Sequence, residues 1–250
     1  MTSRIKSASS PSITFHLLTI FPGAIDGYLK CGVIGRAIRR GLIAVSVYDL
    51  RDYSADKKHH KVDARPYGGG PGMVLEATPI LKAADGIKRR ARASGRAGDF
   101  KIIILTPGGR QFTNALALRW SKRHDHFILI AGRYEGIDAR VKKILRAEEV
   151  SIGPYVLSGG ELPAAVLIDT ISRQVRGVLG DKQSLEEKRG VRSTMYTRPE
   201  VLTHTGHRYH VPKALLSGHH ARITEWQSKH SKPALGNWKL VGYPQVKVGG

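Results

Sequence analysis

Short apolar runs rich in β-branched residues alternate with helically spaced segments along most of this chain. Residues 13–21 and 43–48 have the alternation typical of strands, and residues 28–40 between them place apolar side chains at helical spacing. A strand, a helix and a strand in this order predict a parallel sheet, because parallel neighbours need a crossover connection. We therefore expect an α/β fold with helices on both faces of the sheet.

The middle of the chain repeats this order. Strands are predicted at residues 102–105, 127–130 and 149–152. Helices are predicted at residues 77–92, 114–122, 137–145 and 162–174. Residues 51–72 are charged and have no apolar period, so they are predicted to form a surface loop.

The pattern changes in the last part of the chain. Residues 181–195 are charged and aperiodic, which indicates an exposed linker. Residues 196–250 are predicted to form a small, mainly helical second domain, with a helix at residues 220–230. Residues 1–12 are basic, Ser-rich and without acidic residues, and we expect a disordered tail there. Residues 13–180 are then the main domain.

Three glycine-containing loops follow predicted strands. They are LTPGGR at residues 105–110, AGRYEGID at 131–138, and the loop within VSIGPYVLSGGELPAAVLID at 150–169. The carboxyl ends of parallel strands meet at one edge of a sheet, so these loops are expected to converge there. Glycine and proline bend such loops and let main-chain groups approach a ligand closely. The sequence therefore predicts a site for a flat ring, such as adenine, at this edge.

Common phosphate-binding and nucleophile motifs do not fit the chain. The glycine-rich segment 68–72 is followed by Met73 and Val74, where a P-loop needs lysine and a hydroxyl residue. Its glycines also lack the GxGxxG spacing of dinucleotide-binding folds. Ser158 has Val156 two positions before it, where the nucleophile elbow of a hydrolase has glycine. The segment is predicted either to let RNA lie close to the main chain or to form a plain turn.

The histidines do not indicate a metal site. His59 and His60 are adjacent and point apart in an extended chain, while His204, His207 and His210 lack cysteine or carboxylate partners at ligand spacing. Basic side chains that face RNA are the more economical interpretation, and we predict no metal ligated by protein residues.

Charge narrows the class of partner. The chain has 41 Lys and Arg against 20 Asp and Glu, a formal net charge of +21. Such an excess indicates nucleic acid, although a basic structural or ribosome-associated protein shares this balance. The single cysteine, Cys31, cannot form an internal disulfide, which fits a reducing compartment. No apolar run has the roughly 20 residues of a membrane span. We therefore expect a cytoplasmic protein.

Seven motifs, in the order in which they occur along the chain, resemble those of a known protein family. Besides the three loops, they are RPYGGGPGM at residues 65–73, GVLG at 177–180, YTRPE at 196–200 and LLSGHH at 215–220. Over roughly residues 13–230 the chain resembles the bacterial tRNA (guanine-N1)-methyltransferases, the TrmD family of the SPOUT class.

The resemblance implies a fold and an activity. The fold is a SPOUT-type parallel sheet tied in a trefoil knot, and similar proteins are homodimers; no other stable protein partner is expected. The implied reaction is S-adenosylmethionine-dependent methylation of N1 of guanosine at tRNA position 37, next to the anticodon. It gives 1-methylguanosine and helps to maintain the reading frame. The alternatives are a ribose 2′-O-methyltransferase of the SPOUT class and a tRNA-binding protein with altered catalysis.

The matched motifs also imply binding residues. The pocket for S-adenosylmethionine is expected from Leu105, Thr106, Pro107, Gly132, Glu135, Ile152, Gly153, Pro154, Tyr155, Val156, Leu157, Gly159, Gly160 and Pro163. Within it, Glu135 is expected near the cationic end of the methyl donor. Contacts with tRNA are expected from Arg65, Tyr67, Gly68, Gly69, Arg173, Ser217 and His219.

Two catalytic residues are implied as well. Arg173 is expected to contact the target guanine. The family's general base is an aspartate, and its position here is occupied by Lys188, whose cation cannot accept a proton. Glu187 is the expected base, with Glu186 next to it. Mg²⁺ is a further candidate cofactor, without assigned protein ligands.

Overall fold

A five-stranded parallel sheet forms the centre of the fold. The computed structural model describes residues 11–95, 98–179, 191–192 and 194–232. The sheet consists of β1 (Ile13–Thr19), β2 (Ile43–Asp49), β5 (Phe100–Gln111), β6 (His126–Ala131) and β7 (Glu148–Ser151), in the order β2-β1-β6-β5-β7. Every neighbouring pair is parallel, which confirms the predicted α/β fold.

Helices lie on both faces of this sheet. They are α1 (Asp26–Lys30), α2 (Gly32–Arg39), α3 (Ala77–Ala93), α4 (Asn114–Ser121), α5 (Arg140–Leu145) and α6 (Glu161–Ser172). One hydrophobic core contains side chains of α2, α4 and α6, and a second contains side chains of α3 and α5. Successive strand residues alternate between the two, since Phe127 belongs to the first core and Ile128 to the second.

The predicted helix at residues 28–40 is wrong as a single element. Two helices, α1 and α2, meet there in what we call the α1–α2 elbow, with Cys31 between them. Gly32 has a left-handed φ of +60°, and a Cβ on Gly35 would lie 2.4 Å from the Lys30 carbonyl oxygen. The apolar spacing runs through the elbow, so periodicity alone could not show it.

Two other boundaries differ from the prediction. The predicted loop at residues 105–110 lies inside β5: Leu105 and Arg110 both pair with Val150, and the segment 106–109 between them bulges out. We call this segment the β5 bulge. The helix predicted from residue 137 begins at Arg140, whose backbone N–H donates to the Asp138 side chain at 2.9 Å.

Residues 51–72, predicted to be a surface loop, contain some regular structure. A 3-10 helix covers Leu50–Tyr53, and β3 (Asp63–Ala64) pairs antiparallel with β4 (Val74–Leu75). The glycine-rich segment connects β3 to β4.

The chain divides into two compact units, Met1–Gly180 and Asp181–Gly250. In the second, β8 (Val191–Arg192) pairs with β11 (Ser231–Lys232), and β9 (Val201–His204) forms a hairpin with β10 (His207–His210). It also contains α7 (Lys213–Leu216) and α8 (His220–Lys229), close to the predicted helix. The hairpin was not predicted, because its short strands carry polar residues on both faces.

The predicted tail at residues 1–12 and the predicted linker at residues 181–195 lie largely outside the described part of the chain, and both stay predictions. None of the described helices combines the length and the apolar character needed to cross a membrane.

Candidate active site

The carboxyl ends of three neighbouring strands surround a cleft of about 430 Å³. The β5 bulge forms one wall, the residues after β6 form another, and the loop from β7 to α6 forms the third. Non-consecutive strands lie side by side here, the arrangement in which open α/β sheets bind ligands. The predicted convergence of the three glycine-containing loops is therefore present in the structure.

Most residues of the predicted donor pocket line this cleft. They are Leu105, Thr106, Pro107, Gly132, Glu135, Ile152, Tyr155, Val156, Leu157, Gly159, Gly160 and Pro163. Gly153 and Pro154 do not line it. Gly153 is buried beneath Tyr155, and a Cβ at this position would lie 2.3 Å from the Tyr155 ring. Because Gly153 has no side chain, the Tyr155 ring can lie over it. Gly153 therefore contributes to the cleft indirectly, by making room for Tyr155, which lines it.

A buried ion pair supports the floor of the cleft. Glu161, 3% exposed at the start of α6, accepts hydrogen bonds from Arg133 Nε at 3.0 Å and from Thr19 Oγ1 at 2.6 Å. Arg133 also donates to the Ser158 carbonyl at 2.9 Å, and its guanidinium lies 4.5 Å from the centre of the Phe21 ring. These contacts connect the end of β1, the loop after β6 and the loop between β7 and α6 to the start of α6.

Sequence reasoning missed both members of this pair. Arg133 and Glu161 lie within quoted motifs, but 28 positions separate them, and nothing in the sequence indicates that they meet. A Cβ on Gly159 would lie 2.1 Å from Arg133 Nε. That glycine was assigned to ligand approach, and the structure shows that it also makes room for the ion pair.

Charged side chains at the cleft are mostly paired. Asp138 pairs with Arg140, whose hydrogen bonds hold the pKa of that carboxyl below its usual range, and Glu149 pairs with Lys142 at 2.6 Å. Among the described residues that line the cleft, Glu135 is the carboxylate without an ion pair. The cleft thus offers an uncompensated negative charge to a cationic ligand.

The glycine-rich segment after β3 contacts the same loop. The Glu135 backbone N–H donates to the Met73 carbonyl at 3.0 Å, and a Cβ on Gly72 would lie 2.7 Å from Glu135 Cγ. Its outer part is open: the Tyr67 side chain is fully exposed, and Gly68 and Gly69 have left-handed φ values and open space where a Cβ would be. Arg65 is also exposed. The inner end of this segment, at Gly72, therefore lies beside Glu135 of the cleft, and the residues predicted to contact tRNA lie on its exposed outer part.

Over residues 13–236 the chain matches the family described as tRNA (Guanine-1)-methyltransferase TrmD. The chain belongs to this family. Relatives with the name tRNA (guanine-N(1)-)-methyltransferase include proteins of Thermomicrobium roseum, 45% identical over 85% of this chain and 76% of the relative, and of Lachnospira eligens, 43% identical over 87% and 89%. A third, from Colwellia psychrerythraea, is 43% identical over 86% and 85%.

Membership of the TrmD family implies S-adenosylmethionine as the methyl donor, and the cleft suits it. The volume lies within the roughly 300–1,000 Å³ typical of small-molecule sites. Apolar side chains such as Leu105, Ile137 and Leu157 can flank an adenine ring. Main-chain groups of the glycine loops can hydrogen-bond to the edge of the adenine ring. Glu135 can face the positive charge of the methyl donor.

Arg173 of this TrmD-family chain lies outside the cleft lining, at the carboxyl end of α6. Its backbone N–H donates to the Asp169 carbonyl at 3.0 Å, and the Asp169 carboxylate accepts a hydrogen bond from the Tyr28 hydroxyl. Burial, followed by this bond, raises the pKa of Tyr28 to about 12, so its hydroxyl is a donor at neutral pH.

The other predicted residues belong to later parts of the sequence. Ser217 and His219 belong to the second unit, where the His219 backbone N–H donates to Ser217 Oγ at 3.3 Å. Glu187, Glu186 and Lys188 lie outside the described residues. Among those that the structure describes, no three His, Cys, Asp or Glu side chains are grouped to hold a metal ion.

Proposed function

We propose that this TrmD-family enzyme transfers the methyl group of S-adenosylmethionine to N1 of guanosine at tRNA position 37, giving 1-methylguanosine next to the anticodon. The observation that carries the proposal is the cleft, where three loops with the family's motifs converge although they are far apart in sequence. The net charge of +21 supports a polyanionic substrate.

The predicted pocket residues would hold the methyl donor. Main-chain groups of the β5 bulge and of the loop after β7 would bind adenine and ribose, and Glu135 would face the ammonium and sulfonium groups. S-adenosylmethionine supplies an electrophilic methyl group when bound. The protein must then place guanine N1 in line with it and remove the N1 proton.

Two side chains would act on the guanine. Arg173 would stabilise the negative charge that develops on O6 as N1 loses its proton. Glu187 would accept that proton, since Lys188 stands at the position of the family's aspartate. Neighbouring Lys182 and Arg189 would favour the charged carboxylate that a base requires.

If Glu187 is the general base, its substitution should cause a large loss of turnover without loss of binding. Glu187→Gln keeps the shape and removes the charge, so turnover should fall by about a hundredfold or more. Affinity for donor and tRNA should stay nearly intact, as measured by calorimetry and filter binding. Glu186→Gln is the matched control and should have a much smaller effect. Equal, mild effects of both substitutions would show that neither glutamate is the base.

One feature supports a finer part of the proposal, the homodimer, whereas the trefoil knot stays a prediction. Exposed apolar side chains on α6, Leu162 and Val166, support a homodimer interface. The tRNA contacts of Ser217 and His219, a cytoplasmic location and a role for Mg²⁺ stay predictions.

One experiment tests the proposed reaction. The protein is incubated with unmodified tRNA and methyl-labelled donor, and the tRNA is then digested to nucleosides. Label in 1-methylguanosine is the expected result, and it should disappear when guanosine 37 is replaced. Label in a 2′-O-methylnucleoside would indicate a ribose methyltransferase, and tRNA binding without any label would indicate a protein with altered catalysis.

A further inference from the structure

A phenol and a carboxylate meet beside Arg173. Tyr28 belongs to α1 and Asp169 to α6, and 141 positions separate them, yet the Tyr28 hydroxyl donates to Asp169 Oδ2. The positive charge of Arg173 acts on the Tyr28 hydroxyl, opposing the rise of its pKa, so the three groups are electrostatic neighbours. We call them the Tyr28–Asp169–Arg173 cluster.

The helical spacing of α6 places two of these groups on one face. Asp169 and Arg173 are four positions apart, so they lie one turn apart on the same side, as do Leu162 and Val166 before them. Leu162 and Val166 are exposed, while Leu167 and Ile168 are buried in the core. The side of α6 that carries Asp169 and Arg173 therefore faces away from the sheet.

The α1–α2 elbow positions the third group, the Tyr28 phenol. The Lys30 carbonyl at the end of α1 accepts a hydrogen bond from Arg39 Nη1 at 3.0 Å, and it lies where a Cβ on Gly35 would be. These contacts fix the direction of α1 relative to α2. Since α2 belongs to the same hydrophobic core as α6, Tyr28 is held against α6 by a defined framework.

We propose that Tyr28 and Asp169 are positioning residues for Arg173 in methyl transfer. The hydrogen bond from Tyr28 fixes the Asp169 carboxylate, and the fixed carboxylate restricts the Arg173 guanidinium one turn further along α6. The inference rests on the proposed role of Arg173 at the guanine. A guanidinium that is already oriented stabilises charge on O6 without reorganising during the reaction.

The test is a double-mutant cycle on the full-length protein. Single-turnover methyl transfer from labelled donor to tRNA is measured for wild type, Tyr28→Phe, Arg173→Ala and the double variant. Tyr28→Phe should lower the rate constant about tenfold, since small misplacements of reacting groups are costly. In the Arg173→Ala background it should cause no further loss, because Tyr28 acts through Arg173. Donor affinity, measured by calorimetry, should be unchanged.

A second variant and a matched control complete the design. Asp169→Asn removes the carboxylate charge at constant size and should reproduce the loss seen with Tyr28→Phe. Tyr53→Phe also removes a phenol hydroxyl, one that accepts a hydrogen bond from Arg90 at 3.4 Å beside the other core of the sheet. Its rate should equal that of wild type.

The outcomes separate the inference from the proposed function. Wild-type protein that forms no 1-methylguanosine overturns the proposed function, and with it the inference. If wild type forms 1-methylguanosine but Tyr28→Phe is as fast as wild type, the inference alone is overturned. If Arg173→Ala is as fast as wild type, the proposed role of Arg173 and the inference are overturned, while the proposed reaction stands. Equal losses from Tyr28→Phe in both backgrounds also overturn the inference, because the tyrosine would then act independently of Arg173.

Discussion

Two histidines lie side by side inside the sheet. His16 Nε2 of β1 is 3.2 Å from His126 Nδ1 of β6, and His16 Nδ1 is 3.1 Å from the Tyr48 hydroxyl. Burial, followed by the charges of His126 and Arg90, lowers the pKa of His16 to about 4. The His16 imidazole is therefore neutral in the folded protein near neutral pH.

Acid should destabilise the protein through His16. As the pH falls below 6.5 the unfolded chain binds a proton at His16, while the folded protein does so only near pH 4. The contribution of neutral His16 to the free energy of unfolding is fully present above pH 6.5 and is lost as the pH falls to about 4. The difference between 6.5 and 4 corresponds to about 3 kcal/mol at most.

Urea unfolding at pH 7.5, 6.0 and 4.5 measures this loss. Protonated carboxylates lower stability over the same range, so the variant His16→Gln provides the reference. Its stability should fall less steeply with pH than that of wild type. Parallel pH profiles for the two proteins would show that His16 is not the group responsible.

At the scale of elements, the β5 bulge depends on a glycine. A Cβ on Gly109 would lie 2.4 Å from the Val150 backbone nitrogen, whereas one on Gly108 would have no atom within 4 Å. Neither glycine has a left-handed φ, so alanine differs at the two positions only in the space available. The bulge can therefore lie against β7 only because residue 109 lacks a side chain.

Adjacent alanine substitutions should have opposite outcomes. Gly109→Ala forces main chain away from main chain and should lower the free energy of unfolding by about 2 kcal/mol or more. Gly108→Ala should change it by less than about 0.5 kcal/mol. Chemical denaturation of both variants provides the comparison. Similar stabilities would contradict the close packing of the bulge on β7.

The five strands of the central sheet and most helices could be predicted from the sequence, because their apolar periods reflect burial on a sheet. The α1–α2 elbow could not, since the spacing of apolar residues continues across Gly32. The pairing of both Leu105 and Arg110 with Val150 could not be predicted either, because the sequence does not show which residues of two distant strands lie opposite each other. The cleft was predictable as a set of loops, but its supporting pair, Arg133 and Glu161, depends on tertiary contacts.

At the scale of the whole molecule, the excess of basic residues sets the expected behaviour toward RNA. Binding to tRNA should weaken by about tenfold or more between 50 and 200 mM salt, because each neutralised phosphate releases counterions. Fluorescence titration at several salt concentrations gives the slope of log affinity against log salt. A flat dependence would mean that the net charge of +21 serves some other partner.

The cleft draws its three walls from the ends of β5, β6 and β7, and this has a consequence during synthesis. A ribosome makes the chain from the amino terminus, at about 5–20 residues per second. The roughly fifty residues between the first wall and the third therefore take on the order of 3 to 10 seconds to appear. Throughout that interval the apolar edge at Leu105 has no third wall to cover it, and a growing polypeptide in this state is a candidate client for chaperones.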